Sequence, residues 1–271
     1  MGSPLKLAVG GLGAIGLAVA RRVDAGDVPD VHLTAVSARD EAKALAKIAG
    51  FRQKPKLVPL GRLGDEADIV LESVPARHFG EIAGPAIEQG RILMPLSVGQ
   101  LLDHLHLVER AKSTGARILV PTGALLGLDA VRAVAEGTVE SVRIVTRKPP
   151  RGLAGAPHLV RHGISVDGLT APRKVFEGTA REAVAGFPAN VNVAVALSLA
   201  GIGPERTTIE IWADPAVTRN PNTIEVRSAS SDLTMTIATT PREENPATGK
   251  VTALSAIAAL RRLTAPLVVG S

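Results

Sequence analysis

The chain has 271 residues, of which 45% are hydrophobic and only 2% are aromatic, and its formal net charge is +5. This length suffices for two modest domains whose cores are built from Ala, Val, Leu and Ile. The sequence contains no cysteine, which excludes disulfides, thiolate nucleophiles and cysteine-ligated metals. Lys and Arg are scattered singly or in pairs, so the charge suits small anionic ligands and does not favour a nucleic-acid partner.

No leader with a charged and then an apolar segment opens the sequence, and no uninterrupted apolar run approaches the roughly 18 residues of a membrane span. We therefore expect a soluble, cytoplasmic protein without a membrane segment. The carboxylates and histidines show no metal-ligand spacing, so no metal is expected either.

The most informative motif is Gly11-x-Gly13-x-x-Gly16, which follows the apolar strand Leu5–Gly10 and precedes an apolar helix. In a dinucleotide-binding turn the first glycine permits the tight turn, and the second lets a pyrophosphate approach the backbone. The third lets the helix pack against the strand, with its N-terminal N–H groups facing the phosphate. The motif predicts a dinucleotide site, to which the intervening Leu12, Ala14 and Ile15 contribute backbone.

Residues 1–120 alternate short apolar strands with helical segments, a pattern typical of a parallel sheet with crossover helices. The predicted strands are Leu5–Gly10, Val31–Val36, Lys56–Pro59, Asp68–Glu72, Ile92–Pro95 and Arg117–Val120. The predicted helices are Leu17–Ala25, Asp40–Ala49, Phe79–Gln89 and Leu102–Thr114. We expect an N-terminal Rossmann dinucleotide-binding domain.

The end of the second strand bears on which dinucleotide binds. An acidic residue there would accept a hydrogen bond from the ribose 2′-hydroxyl of NAD, but the sequence has Ser37 followed by Arg39, which suit a 2′-phosphate better. Asp40 is the N-cap candidate of the next helix. The sequence therefore favours NADP, with use of NAD left open.

Residues 121–250 predict an α+β domain with a mixed or antiparallel sheet. The predicted strands are Val139–Lys148, Thr207–Asp214, Thr223–Arg227 and Leu233–Thr239. The predicted helices are one opened by a Thr179–Glu182 capping box, the apolar Asn190–Ala200, and Thr252–Leu263 with Leu254, Ile257 and Leu260 on one face. We expect the C-terminal segment 251–271 to pack back on the first domain.

The second half also carries several specific motifs in a fixed order. They are Pro121-Thr-Gly-Ala-Leu-Leu-Gly-Leu-Asp129, Thr146-Arg-Lys-Pro-Pro150, Phe187-Pro-Ala-Asn-Val-Asn-Val193, Ala213-Asp-Pro215 with Arg219-Asn220, and Glu244-Asn-Pro-Ala-Thr248. Together they resemble the L-aspartate dehydrogenase family over essentially the whole chain. The resemblance implies a Rossmann domain, a catalytic and dimerisation domain that makes a homodimer, and reversible oxidative deamination of L-aspartate through iminosuccinate. In many bacteria this imine feeds NAD biosynthesis.

The resemblance also implies site residues. Ala124, beside Gly123, matches a contact on the nicotinamide side, and Asn190 matches another cofactor contact, although Ala124 also suits a helix N-terminus after a turn and Asn190 an N-cap. The family's catalytic histidine corresponds to Asn222, because the pattern Asn-x-His reads Asn220-Pro-Asn222 here. An amide does not titrate, so Asn222 can orient a water or a substrate carboxylate but cannot act as a general base.

Other residues are candidates for moving the proton. Lys148 can bind a carboxylate or act as an acid if it is desolvated, and the remaining candidates are His78, His158 and His162. Asp214, before Pro215, is expected to end a strand and initiate a turn, with orientation of a water as the alternative role. His104 and His106 are expected on a surface helix. Three hypotheses stay open: an active aspartate dehydrogenase, a related reductase of another amino, imino or keto acid, and a catalytically silent dinucleotide-binding protein.

Overall fold

The computed structural model describes residues 3–188, 191–240 and 249–270. The chain divides into two compact units, the first formed by residues 1–121 and 252–268 and the second by residues 122–251 and 269–271. Among the described residues, no helix is long and apolar enough to cross a membrane.

Six strands of the described residues form the sheet of the first unit. They are β1 (Leu5–Gly10), β2 (Val31–Ser37), β3 (Lys56–Leu57), β4 (Ile69–Glu72), β5 (Ile92–Pro95) and β6 (Arg117–Ile118). All neighbours are parallel, in the order β3-β2-β1-β4-β5-β6. The direction of strand order reverses beside β1, so the carboxyl ends of β1 and β4 form the switch point where open α/β sheets bind ligands. The predicted Rossmann architecture is confirmed.

The helices that precede the second unit are α1 (Ala14–Asp24), α2 (Glu41–Ile48), α3 (Phe79–Glu88) and α4 (His106–Thr114). The predicted start of α1 at Leu17 was three residues late, because Gly13 is the N-cap. The helix predicted from Leu102 begins only at His106, since residues 98–104 form a 3₁₀ turn. The prediction that Asp40 caps α2 is confirmed, because its Oδ1 accepts a hydrogen bond from the Lys43 N–H at 3.0 Å.

The second unit is built around a mixed sheet. Its elements are α5 (Leu128–Ala135), β7 (Val139–Lys148), α6 (Pro157–Arg161), β8 (Arg173–Thr179), α7 (Ala180–Gly186), α8 (Asn192–Ala200), β9 (Thr207–Ala213), β10 (Asn220–Ser228) and β11 (Asp232–Thr239). The order is β11-β10-β7-β9-β8, with β7 and β9 parallel and the other neighbours antiparallel. The predicted capping box at Thr179 and Glu182 is present.

Side chains alternate between the two faces of this sheet, because successive residues of a strand point to opposite sides. On β7 the buried face carries Val142, Ile144 and Thr146, and on β10 it carries Asn222 and Ile224. Along β7 and β10 the buried face is therefore apolar in its middle and polar towards the end at Thr146 and Asn222.

The last helix, α9 (Val251–Thr264), packs into the core of the first unit through Ala253, Ala256, Ile257 and Leu260. Two nitrogens of Arg261 donate to the Asp27 carbonyl at 3.0 and 2.6 Å. The prediction that Leu254 shares the buried face is wrong: Leu254 is 53% exposed, because residues 253, 256, 257 and 260 define that face.

Candidate functional site

The three glycines of the N-terminal turn occupy three different environments. Gly11 has a φ of +92°, and a Cβ there would lie 2.6 Å from the Ser73 carbonyl oxygen. A Cβ on Gly16 would overlap the Gly11 carbonyl oxygen. A Cβ on Gly13 would meet no atom of the described residues within 4 Å. The first and third glycines are therefore required by packing, whereas Gly13 leaves backbone open to a ligand, as a pyrophosphate site requires.

The residues between the glycines complete this turn. Leu12 is buried, and Ala14 and Ile15 open α1 directly after Gly13. Gly13 makes no side-chain cap bond, and the first turn of α1 carries no acidic residue. The positive end of the α1 dipole is consequently not neutralised by a carboxylate of its own first turn, which suits a bound phosphate.

The end of β2 presents no carboxylate to a ribose. The Ser37 carbonyl accepts a hydrogen bond from the Gly11 N–H at 2.8 Å, and Arg39 is exposed just beyond it. The carboxylate of Asp40 is occupied by the backbone N–H of Lys43 and, at 3.0 Å, by its ammonium. These bonds, above all the backbone bond, lower the pKa of Asp40. The charged group that this strand end offers to a ligand is therefore the guanidinium of Arg39.

Two residues that the sequence did not single out also hold the glycine turn. The Ser73 hydroxyl donates to the carbonyls of Gly10 and Gly11 at 2.8 and 3.0 Å. The Lys47 ammonium donates to the Leu12 carbonyl at 2.8 Å. The position of Ser73 directly after β4 was a usable signal, since ligand sites lie at carboxyl ends of parallel strands. Nothing in the spacing of Lys47 indicated its contact.

A buried carboxylate fixes the loops at the switch point. Glu72 ends β4, and its two oxygens accept hydrogen bonds from the N–H groups of Val74, Leu96 and Ser97 and from the Ser97 hydroxyl, at 2.9–3.2 Å. Burial raises the pKa of Glu72, and these hydrogen bonds oppose the shift. Glu72 thereby ties the loop after β4 to the loop after β5.

The predicted nicotinamide-side residues of the second unit lie partly outside the described residues. Gly123 has a φ of +65° and forms a turn with Ala124, which the Leu125 N–H closes by bonding to the Thr122 carbonyl at 3.1 Å. Ala124 is not at a helix N-terminus, because α5 begins only at Leu128. Asn190 lies outside the described residues; α8 begins at Asn192, with Val191 in the cap position.

Asn222 lies opposite Thr146 in the antiparallel β10–β7 pair. Lys148 is two residues beyond Thr146, so the strand period places all three side chains on the same face and at the same end of the sheet. Thr146 is fully buried and Asn222 is 4% exposed. Among the described residues, neither the Thr146 Oγ1 nor the Asn222 Oδ1 has a hydrogen-bond partner.

Lys148 is the titratable group of this cluster. Burial of its ammonium lowers the pKa of Lys148 to about 8, because desolvation disfavours the charged form. A group with this pKa exchanges protons close to neutral pH, which a free lysine does not. The cluster of Thr146, Lys148 and Asn222 thus combines a proton carrier with buried hydrogen-bonding oxygens.

The histidines that the sequence offered as proton carriers make hydrogen bonds and ring contacts with neighbouring side chains. His78 bonds Glu81 through Nδ1 at 2.7 Å and accepts from Arg77 at Nε2. The ring of His158 packs on His162, with ring centroids 4.3 Å apart, and burial is the main cause that lowers the pKa of His158.

Asp214 and the His104–His106 pair are held in the same way. Asp214 pairs with Arg147 and accepts from the Ala216 N–H at 2.9 Å, closing a turn. His104 lies in the 3₁₀ turn before α4, with Nδ1 2.8 Å from the Gln100 carbonyl. No group of three or more His, Cys, Asp or Glu with metal-binding geometry occurs within the described ranges.

Comparison with known proteins identifies the family. The family described as "Homoserine dehydrogenase, NAD binding domain" matches residues 11–121, and "Aspartate dehydrogenase, C-terminal" matches residues 129–263. An L-aspartate dehydrogenase of Bradyrhizobium diazoefficiens is 52% identical over 269 residues, covering 99% of this chain and 95% of the relative. The chain belongs to the L-aspartate dehydrogenase family.

Further relatives agree with this membership. L-aspartate dehydrogenase 3 of Bordetella bronchiseptica is 51% identical and covers 98% of each chain. The crystal structure of an aspartate dehydrogenase from Thermotoga maritima has the same fold, with a TM-score of 0.70 at 22% identity and coverage of 98% and 99% of the two chains. The chain is therefore an oxidoreductase with an NAD-binding domain, as its sequence predicted.

Gly13, where a side chain would have room, and Gly16, where it would not, give a matched test of the turn. We predict that Gly13→Ala leaves the melting temperature nearly unchanged but weakens dinucleotide binding at least tenfold, because its methyl enters the space left for the phosphate. Gly16→Ala should instead lower the melting temperature, because its methyl overlaps the Gly11 carbonyl. Thermal unfolding and quenching of reduced-cofactor fluorescence measure the two effects. Unchanged binding by a folded Gly13→Ala protein would refute the assignment of the turn.

Proposed function

We propose that this protein catalyses the NAD(P)-dependent, reversible oxidative deamination of L-aspartate to oxaloacetate and ammonia through iminosuccinate. The observation that carries the proposal is the polar cluster of the buried Thr146 and Asn222 and the half-buried Lys148 at one end of the second sheet. It stands in a chain whose relatives at 52% and 51% identity are named L-aspartate dehydrogenases.

The dinucleotide is assigned to the first unit. The backbone around Gly11, Leu12, Gly13, Ala14, Ile15 and Gly16 would hold the pyrophosphate, and Ser37 and Arg39 the adenosine ribose or its 2′-phosphate. Gly123, Ala124 and Asn190 are proposed contacts on the nicotinamide side. The open space at Gly13 and the absence of an acidic residue from the first turn of α1 support this fit. When bound, the nicotinamide accepts or supplies the hydride.

The second unit is proposed to bind the dicarboxylate and to manage its proton. Lys148, with a pKa of about 8, takes up a proton when the amino acid is oxidised and returns it in the reverse direction. Asn222 does not titrate, so its part is to orient the substrate by hydrogen bonding.

Asn222 also favours a second candidate function. The residue stands where the family has its histidine, so the second candidate is a reductase whose substrate is another amino, imino or keto acid. Turnover of a panel of amino acids with NADP⁺ and NAD⁺, and of keto acids with ammonia and the reduced cofactors, separates the two. Binding of the dinucleotide without turnover of any of these acids would contradict both.

The quaternary state and the compartment complete the proposal. We propose a homodimer formed through the outer face of the second sheet, working in the cytoplasm. On that face the Arg147 guanidinium lies 4.9 Å from the Trp212 ring centroid, and Arg143 bridges Glu210 and Glu225. A solution mass equal to the 28.0 kDa of one chain would contradict the dimer.

We predict that Asn222→His raises the rate of aspartate oxidation about tenfold or more, because a positioned general base contributes roughly 10²–10⁴-fold. The measurement is kcat for L-aspartate oxidation by wild type and variant at the same pH. Asn220→His, two residues away on the same strand face, is the matched control and should not gain activity. A folded Asn222→His protein without any gain would indicate a site adapted to another substrate.

The pKa of Lys148 predicts the direction of the pH dependence. Below about pH 8 the amine is protonated and cannot accept a proton, so aspartate oxidation should rise through pH 8 and the reverse reaction should fall. Lys148→Arg keeps the charge but does not deprotonate, and should abolish this inflection in the pH–rate profile of kcat. An inflection that persists in Lys148→Arg would assign it to another group.

Cofactor preference is predicted to depend on Arg39. Arg39→Ser should raise the dissociation constant of NADPH about tenfold and leave that of NADH nearly unchanged, because only the former carries a 2′-phosphate for the guanidinium. Direct fluorescence titration gives both constants. Arg110→Ser, which removes a surface arginine that pairs with Glu88, is the control. An equal loss of affinity for NADPH and NADH would show that Arg39 does not contact the 2′-phosphate.

A further inference from the structure

Two of the buried side-chain oxygens without a hydrogen-bond partner among the described residues lie side by side in the second sheet. The Thr146 Oγ1 and the Asn222 Oδ1 are shielded from solvent and have no hydrogen-bond partner among the described residues. A buried polar atom without a partner destabilises a fold, and in native proteins such atoms call for an explanation. Their occurrence on directly opposed residues of β7 and β10 makes the pair a single feature.

The surroundings show that the pair is a local exception. The next residues inward on the same face, Ile144 and Ile224, are fully buried and apolar. On the other side of β7, Thr146 pairs with Ile211 of the parallel strand β9, and Ile211 is also fully buried. Along β7 and β10 the buried face therefore turns polar at the end where Lys148 completes β7.

The hydrogen bonding of Asn222 defines which kind of group the pair can recognise. Its Nδ2 donates to the Asn220 carbonyl at 3.3 Å, which leaves Oδ1 as the atom of the amide without a partner among the described residues. A carbonyl oxygen only accepts hydrogen bonds, and the Thr146 hydroxyl oxygen also has lone pairs to accept them. The Asn222 Oδ1 suits an N–H donor and disfavours a carboxylate, and the Thr146 hydroxyl can accept from the same donor. The Lys148 ammonium is not the donor for these two oxygens, because neither of them accepts a hydrogen bond from it.

We propose that Thr146 and Asn222 hold the nitrogen of the substrate: the α-ammonium group of the amino acid and, in the reverse direction, ammonia. This inference rests on the proposed function and deepens it, because it separates the residues that recognise nitrogen from those that bind carboxylates. Asn222 in the histidine position is then a binding residue, and Thr146 is its partner, which the sequence motifs did not reveal.

The test compares L-aspartate with succinate, which has the same carbon chain and both carboxylates but no amino group. Isothermal titration calorimetry gives the dissociation constant of each ligand for the full chain. The chain is measured both alone and saturated with 2′-phospho-ADP-ribose, which lacks nicotinamide and so supports no turnover. Wild type should bind L-aspartate at least tenfold more tightly than succinate. Thr146→Val should weaken the binding of L-aspartate roughly ten- to a hundredfold, which is the effect of losing a hydrogen bond to a charged group. The binding of succinate should stay unchanged.

Two variants separate this role from a structural one. Thr146→Ser keeps the hydroxyl and should restore the preference for L-aspartate. Thr207→Val removes another fully buried threonine hydroxyl without a partner among the described residues, at the far end of neighbouring β9, and should change neither affinity. Neither Thr→Val change should lower the melting temperature, because each deletes an unsatisfied hydroxyl.

The outcomes distinguish the inference from the proposed function. If L-aspartate is oxidised but Thr146→Val keeps the preference over succinate, or loses both ligands equally, the nitrogen site is wrong and the dehydrogenase proposal stands. If the preference depends on Thr146 but no turnover occurs, the nitrogen site stands and the dehydrogenase proposal is wrong. Wild type that binds neither ligand overturns both.

Discussion

The close approach of α1 to β1 is the constraint on which the first unit depends. Gly16 packs against the Gly11 carbonyl at a separation that excludes any side chain, and Gly11 must adopt a positive φ beside Ser73. This approach places the start of α1 at the carboxyl end of β1 without a side-chain cap. The Ser73 hydroxyl and the Lys47 ammonium then hold the backbone carbonyls of the turn. The turn is held by contacts behind it, which leaves its front for a ligand.

A second constraint, the alternation of side chains along strands, organises the other unit. Positions 142, 144 and 146 of β7 all face the core, so the polar end of that face is set by strand register and not by a loop. Each buried oxygen without a partner costs about 1–3 kcal/mol. The apolar side chains further along the same face offset such a cost, and a site on central strands holds its groups more precisely than one on a loop.

The sequence predicted the strands of both sheets well, because their apolar runs and alternation are strong signals. β8 (Arg173–Thr179) was missed, since it is an edge strand with charged residues and a glycine. α5 and α6 were missed as well, being only 8 and 5 residues long. Asn222 was singled out through a motif, whereas Thr146 stood in a motif without being singled out as a site residue. A threonine in an apolar strand is an ordinary strand former, and only three-dimensional neighbours show that its hydroxyl has no partner.

The replacement of a histidine by Asn222 has a consequence for the direction of the proposed reaction. Oxidation of an amino acid requires a proton acceptor, and an amide at this position removes one. Lys148, with a pKa of about 8, is mostly protonated at neutral pH and therefore acts there as a donor. Reduction of a protonated imine needs only hydride, and the proposed nitrogen site, with two oxygens that accept hydrogen bonds, would keep that nitrogen protonated. The groups at this end of the sheet thus favour reductive amination near neutral pH, with oxidation gaining only as Lys148 loses its proton.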